Sequence, residues 1–413
     1  MSGAWMAAVA ATLLGAGDWP QWRGPLRSGY ADEVDLPLTW DGKSQDNVLW
    51  KVPADFGHAS PVVRGEQVFL AGSARRNPRG KDNEAANHLH RIVCFRTTDG
   101  VKLWQTDVEP GTWDTEFSFT SSTPTTDDKR IYTLFGSGTL AALDFDGKLI
   151  WRKALPGPFK AEWLSSSPIL YHDTLFVFCD ISDDHWLLAL DTKTGDVKWE
   201  HKRKQHNRAH NSSPLLVMVK DRPLLVIASS TNVVMALEPA SGKVIWTCAW
   251  GGNRYPSLVA GPGLVCITGD GGSALAIDPT GEGDVSKTHV KWKHAKNGQG
   301  YGSPIIVGDH LYRAVQGGIV KCWKLADGEL VFEERVEGVP TYVSPVATKD
   351  GRIYFASASK SVVINASPKL NVLATNVLED SRGEGGSNGP SAAVSEGRIF
   401  VRSPRFLYCV GKK

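Results

Sequence analysis

The feature that most constrains the fold of this chain is an internal repeat. The stretch ALDTKTGDVKW, Ala189 to Trp199, combines a small residue, an acid, a Thr-Gly turn and a tryptophan. Similar stretches occupy residues 94–104, 142–151, 236–246, 276–292 and 322–332, the last ending in Phe332 in place of tryptophan. From Trp104 onward the closing aromatics are 47, 48, 47, 46 and 40 residues apart. A period in the forties is typical of repeated supersecondary units.

A second marker has the same period. It is a small residue next to a proline, found at Ser60-Pro61, Thr123-Pro124, Ser167-Pro168, Ser213-Pro214, Pro256-Ser257, Ser303-Pro304, Ser344-Pro345 and Pro390-Ser391. Alternating apolar runs such as TLFVFCD, 174–180, follow it and are typical of half-buried strands. The two markers together count eight units, each long enough for four short strands. We therefore predict an all-β protein, an eight-bladed β-propeller of four-stranded antiparallel blades.

The ends of the chain predict how the ring closes. The last unit, from Gly389, stops before a closing tryptophan, whereas NVLWKV, 47–52, has a tryptophan with no preceding hairpin. We expect this N-terminal strand to complete the C-terminal blade, because a closed ring leaves no unpaired edge. Residues 18–413 would then form one domain, with Asp18–Asp46 as a lead-in over that seam.

The residues that recur in each repeat have identifiable physical roles. Asp191 can accept backbone N–H groups, Gly195 can adopt a positive φ, and Trp199 can cover the face of the adjoining blade. The predicted blade-docking residues are Trp50, Trp104, Trp151, Trp199, Trp246, Trp292 and Phe332.

Residues 1–17 are predicted to be a signal peptide. The apolar run Ala4–Leu14 is too short to anchor in a bilayer and is followed by small residues, although no Lys or Arg precedes Arg23. The alternative is an apolar leader of a cytoplasmic protein. The absence of cysteine before Cys94 argues against a lipoprotein. We expect a soluble, exported or periplasmic monomer that does not span a membrane.

The balance of charged residues limits the classes of partner that the chain can attract. The 46 basic and 44 acidic side chains nearly cancel, so the chain has no overall field to attract nucleic acid or an anionic membrane. Partners must therefore be predicted from individual sites.

The repeat A-x-D-x-x-T-G-x-x-x-W resembles that of eight-bladed propellers of the pyrroloquinoline-quinone (PQQ) type, from about Asp18 to the C-terminus. DWPQWRGP, 18–25, and the ending GRIFVRSPRFLYCVG are similar to bacterial PQQ-binding-like repeat proteins, a large and mostly exported family. The assembly factor of the outer-membrane β-barrel machinery, a non-enzymatic scaffold, shares this fold, as do quinoprotein dehydrogenases. The resemblance thus implies either a scaffold or an enzyme with PQQ and Ca²⁺.

The dehydrogenase features are not matched residue by residue. Those enzymes carry a disulfide between adjacent cysteines, whereas the six cysteines here, at 94, 179, 248, 266, 322 and 409, are never adjacent. No Glu, Asn or Asp could be matched to their calcium and catalytic motifs, so we predict no catalytic residues. Cys94, Cys322 and Cys409 align with the small residue of the repeat and should be buried fillers. Cys248 and Cys266 form the one pair near enough along the fold to consider as a disulfide.

Two sequence patterns contain residue types that bind metal ions, but neither matches a complete metal-binding motif. His88 and His90 would lie on one face of a strand, but the segment before them reads first as a solvated loop. DPTGEGD, 278–284, has three carboxylates, but its order differs from that of a calcium loop, and a decorated hairpin turn is the simpler interpretation. We predict no metal site.

Polar and aromatic residues collect just before the Ser-Pro markers, where the chain enters the innermost strands. The candidate ligand- or partner-binding residues are His58, Glu116, Trp163, His210, Asn211, Arg254, Tyr255, Tyr301, Tyr342 and Asn388. Converging aromatics with a few ionisable groups favour a pocket for a small ligand or a peptide. The alternative is that they only fill a wet channel.

Taken together, the sequence predicts an exported, non-catalytic binding or assembly scaffold. It would bind cell-envelope proteins or a small ligand at the channel mouth and need no cofactor. The alternative is a PQQ-dependent dehydrogenase that oxidises an alcohol or a sugar.

Overall fold

The eight-bladed propeller predicted from the repeat is confirmed. The computed structural model describes residues 17–76, 88–110, 120–155, 164–179, 184–204, 212–229, 232–251, 256–269, 274–295, 298–378 and 389–413. Within these ranges there are 34 strands and no helix, and the strands form eight sheets. Each sheet contains four antiparallel strands, and two sheets have a fifth, short parallel strand.

The strands follow the chain blade by blade. Two strands precede the first blade, β1 (Tyr30–Ala31) and β2 (Val48–Pro53). Blade 1 comprises β3 (Val62–Arg64), β4 (Gln67–Arg75), β5 (His88–Arg96) and β6 (Lys102–Val108). Blade 2 comprises β7 (Thr125–Thr126), β8 (Arg130–Leu134), β9 (Thr139–Asp144) and β10 (Leu149–Ala154). Blade 3 comprises β11 (Ile169–Tyr171), β12 (Thr174–Cys179), β13 (Asp184–Asp191) and β14 (Val197–Lys204). Blade 4 comprises β15 (Leu215–Val219), β16 (Arg222–Ser229), β17 (Val233–Leu237) and β18 (Val244–Ala249).

The second half repeats this plan. Blade 5 comprises β19 (Val259–Gly261), β20 (Leu264–Thr268), β21 (Ala274–Ile277) and β23 (Val290–His294), with β22 (Gly283–Asp284) inserted before its last strand. Blade 6 comprises β24 (Ile305–Val307), β25 (His310–Val315), β26 (Ile319–Lys324) and β27 (Leu330–Arg335). Blade 7 comprises β28 (Val346–Thr348), β29 (Arg352–Phe355), β30 (Ser361–Asn365) and β31 (Val372–Asn376). Blade 8 comprises β32 (Ala393–Ser395), β33 (Arg398–Arg402), β34 (Phe406–Gly411) and β2.

The blades share their cores. The middle strands are buried on both faces, as in β12, because each sheet lies between two others. The outermost strands are mostly exposed; in β10 the buried residue is Trp151. One apolar cluster, for example, joins Leu134 and Trp151 of blade 2 to Leu175 and Leu188 of blade 3. A single blade therefore has no core of its own, and stability depends on its neighbours.

The N-terminal strand closes the ring, as predicted. Strand β2 pairs antiparallel with β34, and Trp50 lies opposite Cys409. The outer strand of blade 8 thus comes from the opposite end of the sequence to the other three, so opening the ring requires breaking a whole strand pairing.

The lead-in segment extends well beyond the predicted seam. Residues 18–31 contact the inner strands of five blades: Trp19 with Val63, Pro20 with Thr126, Arg27 with Leu170, Arg23 with Pro304, and Tyr30 with Ala347. These contacts belong to blades 1, 2, 3, 6 and 7, so the segment crosses the central channel. We call residues 18–31 the plug.

The antiparallel order defines two ends of the propeller. Turns between first and second strands and between third and fourth strands lie at one end, which we call the turn face. Connections between second and third strands, and those between blades, lie at the other end, the loop face. The plug enters from the turn face, where Asp18 pairs with Arg64 and accepts the N–H of Gly65 in the first turn of blade 1.

Tryptophans join neighbouring blades at the turn face. Each of six indole N–H groups donates to a backbone carbonyl in the last hairpin of the next blade, over 2.8–3.1 Å: Trp50 to Thr97, Trp104 to Phe145, Trp151 to Thr192, Trp199 to Pro239, Trp246 to Pro279 and Trp292 to Leu325. In five of these hairpins the ring also packs on the turn glycine. A Cβ added to Gly195 would lie 2.9 Å from Trp151, and one added to Gly242 would lie 2.7 Å from Trp199. Both glycines also have positive φ, so the turn and the ring together require glycine.

An insertion strengthens one of these junctions. The segment that carries 278–284 runs back to blade 4, where β22 pairs in parallel with β18 and Gly283 lies opposite Trp246. Val285, just after it, is fully buried, and Trp246 is fully buried as well. The three-carboxylate motif therefore lies in an insertion that covers an edge strand.

We expect Gly195→Ala to lower the free energy of unfolding by about 1–3 kcal/mol more than Gly263→Ala does, because its methyl group overlaps Trp151. Gly263 is the matched control, since its φ is +73 against +72 at Gly195 and nothing lies within 4 Å of an added Cβ. Denaturant unfolding of the two variants measures the difference. Equal losses would show that the glycine is needed only for its backbone angle.

Candidate functional site

A ring of hydroxyl groups organises the entrance to the inner strands. In seven of the eight blades, the backbone N–H of one residue in this ring donates to the hydroxyl of the equivalent residue in the next blade, over 2.8–3.0 Å. Seven such bonds connect, in order, Ser60, Thr123, Ser167, Ser213, Ser257, Ser303, Ser344 and Ser391. We call these residues the serine belt.

The belt explains the second sequence marker. In Pro256-Ser257 and Pro390-Ser391 the proline comes first, yet the serine occupies the same place in the ring. The hydroxyl residue therefore keeps the same place in all eight units, whereas the proline stands on either side of it. It satisfies a backbone donor that the short inner strands leave without a ladder partner.

Three of the predicted site residues lie in the described part of the chain. Tyr301 and Tyr342 stack, with ring centroids 4.4 Å apart and planes 18° from parallel. His58 lies in the connection into blade 1, half-buried, with its ring edge-on to Phe56 at 5.7 Å. The other seven, Glu116, Trp163, His210, Asn211, Arg254, Tyr255 and Asn388, lie outside the described residues. The structure thus brings Tyr301 and Tyr342 together and places His58 at a separate entry point.

The tyrosine pair is held by its backbone. The N–H groups of Tyr301 and Gly302 both donate to the carbonyl of Thr341, over 3.1 and 3.0 Å. This links the segment that enters blade 6 to the segment that enters blade 7. Both rings are half-buried at the loop face.

Two buried arginines, which the sequence analysis did not single out, hold backbone segments at the loop face in place. The Arg402 guanidinium donates to the carbonyls of Asp55, Ala59 and Ala71 over 2.7–2.8 Å. Burial lowers the pKa of Arg402 to about 10, which still leaves it charged near neutral pH.

Arg313 donates to the carbonyls of Gly269 and Gly300. The signal that could have revealed Arg313 and Arg402 is a charged residue within an otherwise apolar inner-blade strand.

The channel is closed at the turn face. Trp19, Gln21, Arg23 and Arg27 of the plug are all buried. A small pocket of about 10 Å³, room for about one water molecule, remains between the plug and the inner strands of blades 3, 4 and 5.

The histidine motif is part of the blade packing. His90 is fully buried, its Nε2 lies 2.6 Å from the hydroxyl of Ser137, and its ring stacks on Phe135 at 4.4 Å. Across the described residues, no three His, Cys, Asp or Glu side chains converge in a group that could hold a metal ion.

The aligned cysteines are buried fillers, as predicted. Cys94, Cys322 and Cys409 are fully buried opposite Trp104, Phe332 and Trp50. Burial raises the pKa of each of the three thiols to about 12. Cys248 and Cys266 are buried and form no disulfide with each other.

Comparison with known proteins places this geometry in a family. A family model described as "Outer membrane protein assembly factor BamB" matches residues 89–334, more than half of the chain. The chain belongs to this BamB-like family of PQQ-type propellers. No curated protein matches its sequence.

Solved structures share the fold of this BamB-like chain. BamB from Moraxella catarrhalis has a TM-score of 0.62 at 15% identity, over 89% of this chain and 97% of that one. A europium-containing methanol dehydrogenase has a TM-score of 0.67 at 11% identity, over 94% and 89% of the two chains. The quinohemoprotein alcohol dehydrogenase of Comamonas testosteroni has a TM-score of 0.63 at 11% identity, over 98% and 82%. At these identities the similarity establishes the propeller fold and not the activity.

The sequence resemblance to quinoprotein dehydrogenases implies PQQ with Ca²⁺ as the cofactor. Calcium takes six to eight oxygen ligands, with carboxylates among them. In the described part of the channel, the buried charged side chains are arginines and Asp18, which is paired with Arg64, and the other polar groups are mainly belt hydroxyls. The described residues therefore do not fit a calcium-held quinone. Glu116, Asn211 and Asn388 of the candidate site lie outside them.

The described ranges contain no helix that is long and apolar enough to cross a membrane.

The buried histidine predicts a pH dependence of stability. Burial, with smaller contributions from the charges of Arg152 and His88, lowers the pKa of His90 to about 3 from an ordinary value of 6.5. The unfolded chain thus binds a proton at this residue first, so the stabilisation is present above pH 6.5 and is lost as the pH falls towards 3.

We expect His90→Gln to reduce the acid sensitivity of the fold by up to about 1.4 kcal/mol per pH unit between pH 6 and pH 3. Denaturant unfolding of both proteins across this range gives the two slopes. Above pH 7 the curves should run parallel, which is the internal control. Equal slopes below pH 6 would contradict the assignment of a neutral, buried imidazole.

Proposed function

We propose that this chain is an exported, non-catalytic scaffold that binds segments of cell-envelope proteins at its loop face. The observation that carries the proposal is the stacked pair Tyr301–Tyr342 at the mouth of a channel whose other end is closed. The match to the BamB family model supports it, since the protein named there is an assembly factor.

The tyrosine pair has the chemistry of a protein-binding surface. Tyrosine rings supply a large contact area at a small cost in conformational entropy, because only two side-chain angles are fixed on binding. Each ring is apolar on its face and carries a hydroxyl at its tip, so it can bind both apolar side chains and backbone groups. Phe56 adds a third aromatic ring at the loop face, 40% exposed, beside His58.

The backbone under this surface is rigid. Arg313 binds the carbonyl of Gly300, the residue directly before Tyr301. Arg402 binds the carbonyls of Asp55 and Ala59, which flank Phe56 and His58. A surface ordered before binding loses less entropy when a partner binds, so the arginines favour recognition without contacting the partner.

The plug determines the direction of approach. It crosses the channel from the turn face and contacts five blades, so a segment cannot pass through the propeller. A partner can therefore enter the channel mouth only from the loop face, where the tyrosine pair lies.

Site-specific photo-crosslinking in the native cell tests the proposal. A benzoyl-phenylalanine replaces Tyr342 in one variant and Val197, which is 54% exposed on an outer strand, in another. We expect a defined envelope protein to be captured from position 342 and not from position 197.

Adding Tyr301→Ala should reduce the capture from position 342 about tenfold or more, since a central aromatic contact contributes 2 kcal/mol or more. Leu330→Ala, which truncates an exposed residue of the outer strand of the same blade, is the control and should leave capture unchanged. Equal capture from positions 342 and 197 would overturn the proposal.

The dehydrogenase alternative has its own measurement. Titration with PQQ, with and without Ca²⁺, is followed by quenching of tryptophan fluorescence against an inner-filter control. The scaffold proposal expects no saturable quenching. Calcium-dependent saturation at micromolar quinone would contradict the non-catalytic assignment and lead to assays of alcohol and sugar oxidation.

A further inference from the structure

The insertion of blade 5 shows how this propeller covers the edge of an outer strand. Its strand β22 lies beside β18 in parallel, with Gly283 opposite Trp246. The N–H of Val285 donates to the carbonyl of Thr247 over 2.9 Å, and the Val285 side chain is fully buried in the apolar cluster that contains Trp246. The chain therefore covers this edge with a short extended segment that inserts one apolar side chain beside the tryptophan.

Two aliphatic residues complete the covered cleft. Ile245 lies at the bulge of β18, directly before Trp246, and Val290 begins the outer strand of blade 5. Both are half-buried and pack against the cluster that includes Val285. The cleft thus lies between one outer strand and the start of the next, and its walls are an aliphatic residue, a tryptophan and a second aliphatic residue.

The cleft between blades 1 and 2 has the same walls. Leu103, Trp104 and Leu149 stand at the places of the three wall residues, because the outer strands have the same bulge and register. In the described ranges, however, β6 is the last strand of its sheet. Leu103 is 40% exposed, Leu149 is 39% exposed and Trp104 is half-buried, whereas Trp246 is fully buried. The walls of this cleft are therefore open to a segment like the one that covers blade 4.

The backbone of β6 allows the same pairing. In β18 the carbonyl of Thr247 accepts an N–H of the cover, and the N–H of Ala249 donates to the hydroxyl of Ser286 over 2.8 Å. Gln105 and Asp107 are the equivalent residues of β6, because both strands keep the same register after the bulge. Their corresponding groups point away from β5, so this edge can accept one more strand.

The open cleft carries positive charge. Arg152 of β10 is exposed and reaches across to blade 1, where it donates to the carbonyls of residues 109 and 110. Lys102 of β6 is exposed as well, and Asp107 is neutralised in an ion pair with an arginine of β5. A basic side chain on an edge disfavours pairing with neutral or basic strands, so these two cations favour an acidic one.

We propose that the cleft between blades 1 and 2 binds an acidic, extended segment of another protein, which adds to β6 in parallel and inserts an apolar side chain between Trp104 and Leu149. The cover of blade 4 has this chemistry, since Glu282 and Asp284 precede the buried Val285. In such strand addition the backbone pairing contributes affinity and the inserted side chain contributes specificity. The site lies on the outer wall of the propeller, so it is separate from the tyrosine pair of the loop face.

Binding of a cover peptide to the purified chain tests the proposal. A fluorescein-labelled peptide with the sequence of residues 279–286, PTGEGDVS, is titrated with the full chain while its fluorescence anisotropy is measured. The edge of blade 4 is already covered by its own insertion, so the added peptide is left with the open cleft. We expect saturable binding with a Kd below about 1 mM, which weakens as salt screens the charges.

A matched pair of variants assigns the binding to this cleft. Leu149 and Leu330 stand at the same place in the repeat and are 39% and 46% exposed, but only Leu149 lies in the cleft. We expect Leu149→Asp to raise the Kd about tenfold or more, because it removes an apolar contact and places a negative charge beside an acidic peptide. Leu330→Asp should change the Kd less than about twofold. Replacing the valine of the peptide by serine should abolish saturable binding.

Hydrogen exchange locates the added strand. The bound peptide should slow the exchange of residues 104–108 and leave residues 332–336, the equivalent stretch of blade 6, unchanged. The absence of saturable binding, equal changes of Kd in the two variants, or binding without protection of 104–108 would overturn the proposal. These measurements use the isolated chain and a defined peptide, so their outcome is independent of whether an envelope protein binds the loop face.

Discussion

The contact between a tryptophan and the turn of the next blade is the interaction on which the structure depends. A blade exposes both faces of its sheet, so it is stable only when each face is covered by a neighbour. The indole ring covers the turn glycine, and its N–H satisfies a carbonyl of the same hairpin. One such contact per blade requires one hairpin tryptophan per repeat, and these tryptophans recur 46–48 residues apart in most units.

The ring is held at two radii. The tryptophans act near the outer strands, and the serine belt acts at the inner strands, where each hydroxyl fixes the distance between neighbouring blades. Pairing of β2 with β34 then makes the ring continuous. With both radii fixed, the connections at the loop face can differ between blades without loss of the fold. Stability therefore depends on the strands and turns, and the loop face is where the proposed recognition would take place.

Most of the fold could be predicted from the sequence because it repeats. Periodic aromatics and small residues identify eight blades, and the unmatched tryptophan of NVLWKV identifies the closing strand. The plug could not be predicted, since residues 18–31 belong to no repeat and their contacts come from five distant segments. Nothing in the sequence indicates that Arg23 and Arg27 have a left-handed backbone conformation, which is normally adopted by glycine.

Part of the candidate site could also be predicted, because it follows the repeat. Tyr301 and Tyr342 occupy equivalent places before two belt serines, so their register predicts that they are neighbours. Arg313 and Arg402 each occur in one blade, at positions that the other blades fill with apolar or small residues. Because these arginines do not recur, the repeat pattern does not indicate which backbone carbonyls they bind. The insertion of blade 5 was recognised, but its pairing with blade 4 depends on the tertiary position of β18.

Hydrogen exchange of the plug tests most directly the claim that this propeller is closed at the turn face. The amides of Trp19, Gly24, Arg27 and Gly29 donate to backbone carbonyls within the plug or of blade 1, and their residues are buried. The account predicts that peptides covering residues 18–31 exchange as slowly as those from the inner strands, because both open only when the ring opens. Exchange as fast as that of an exposed turn such as 308–309 would show that the plug leaves the channel readily, and would contradict the account.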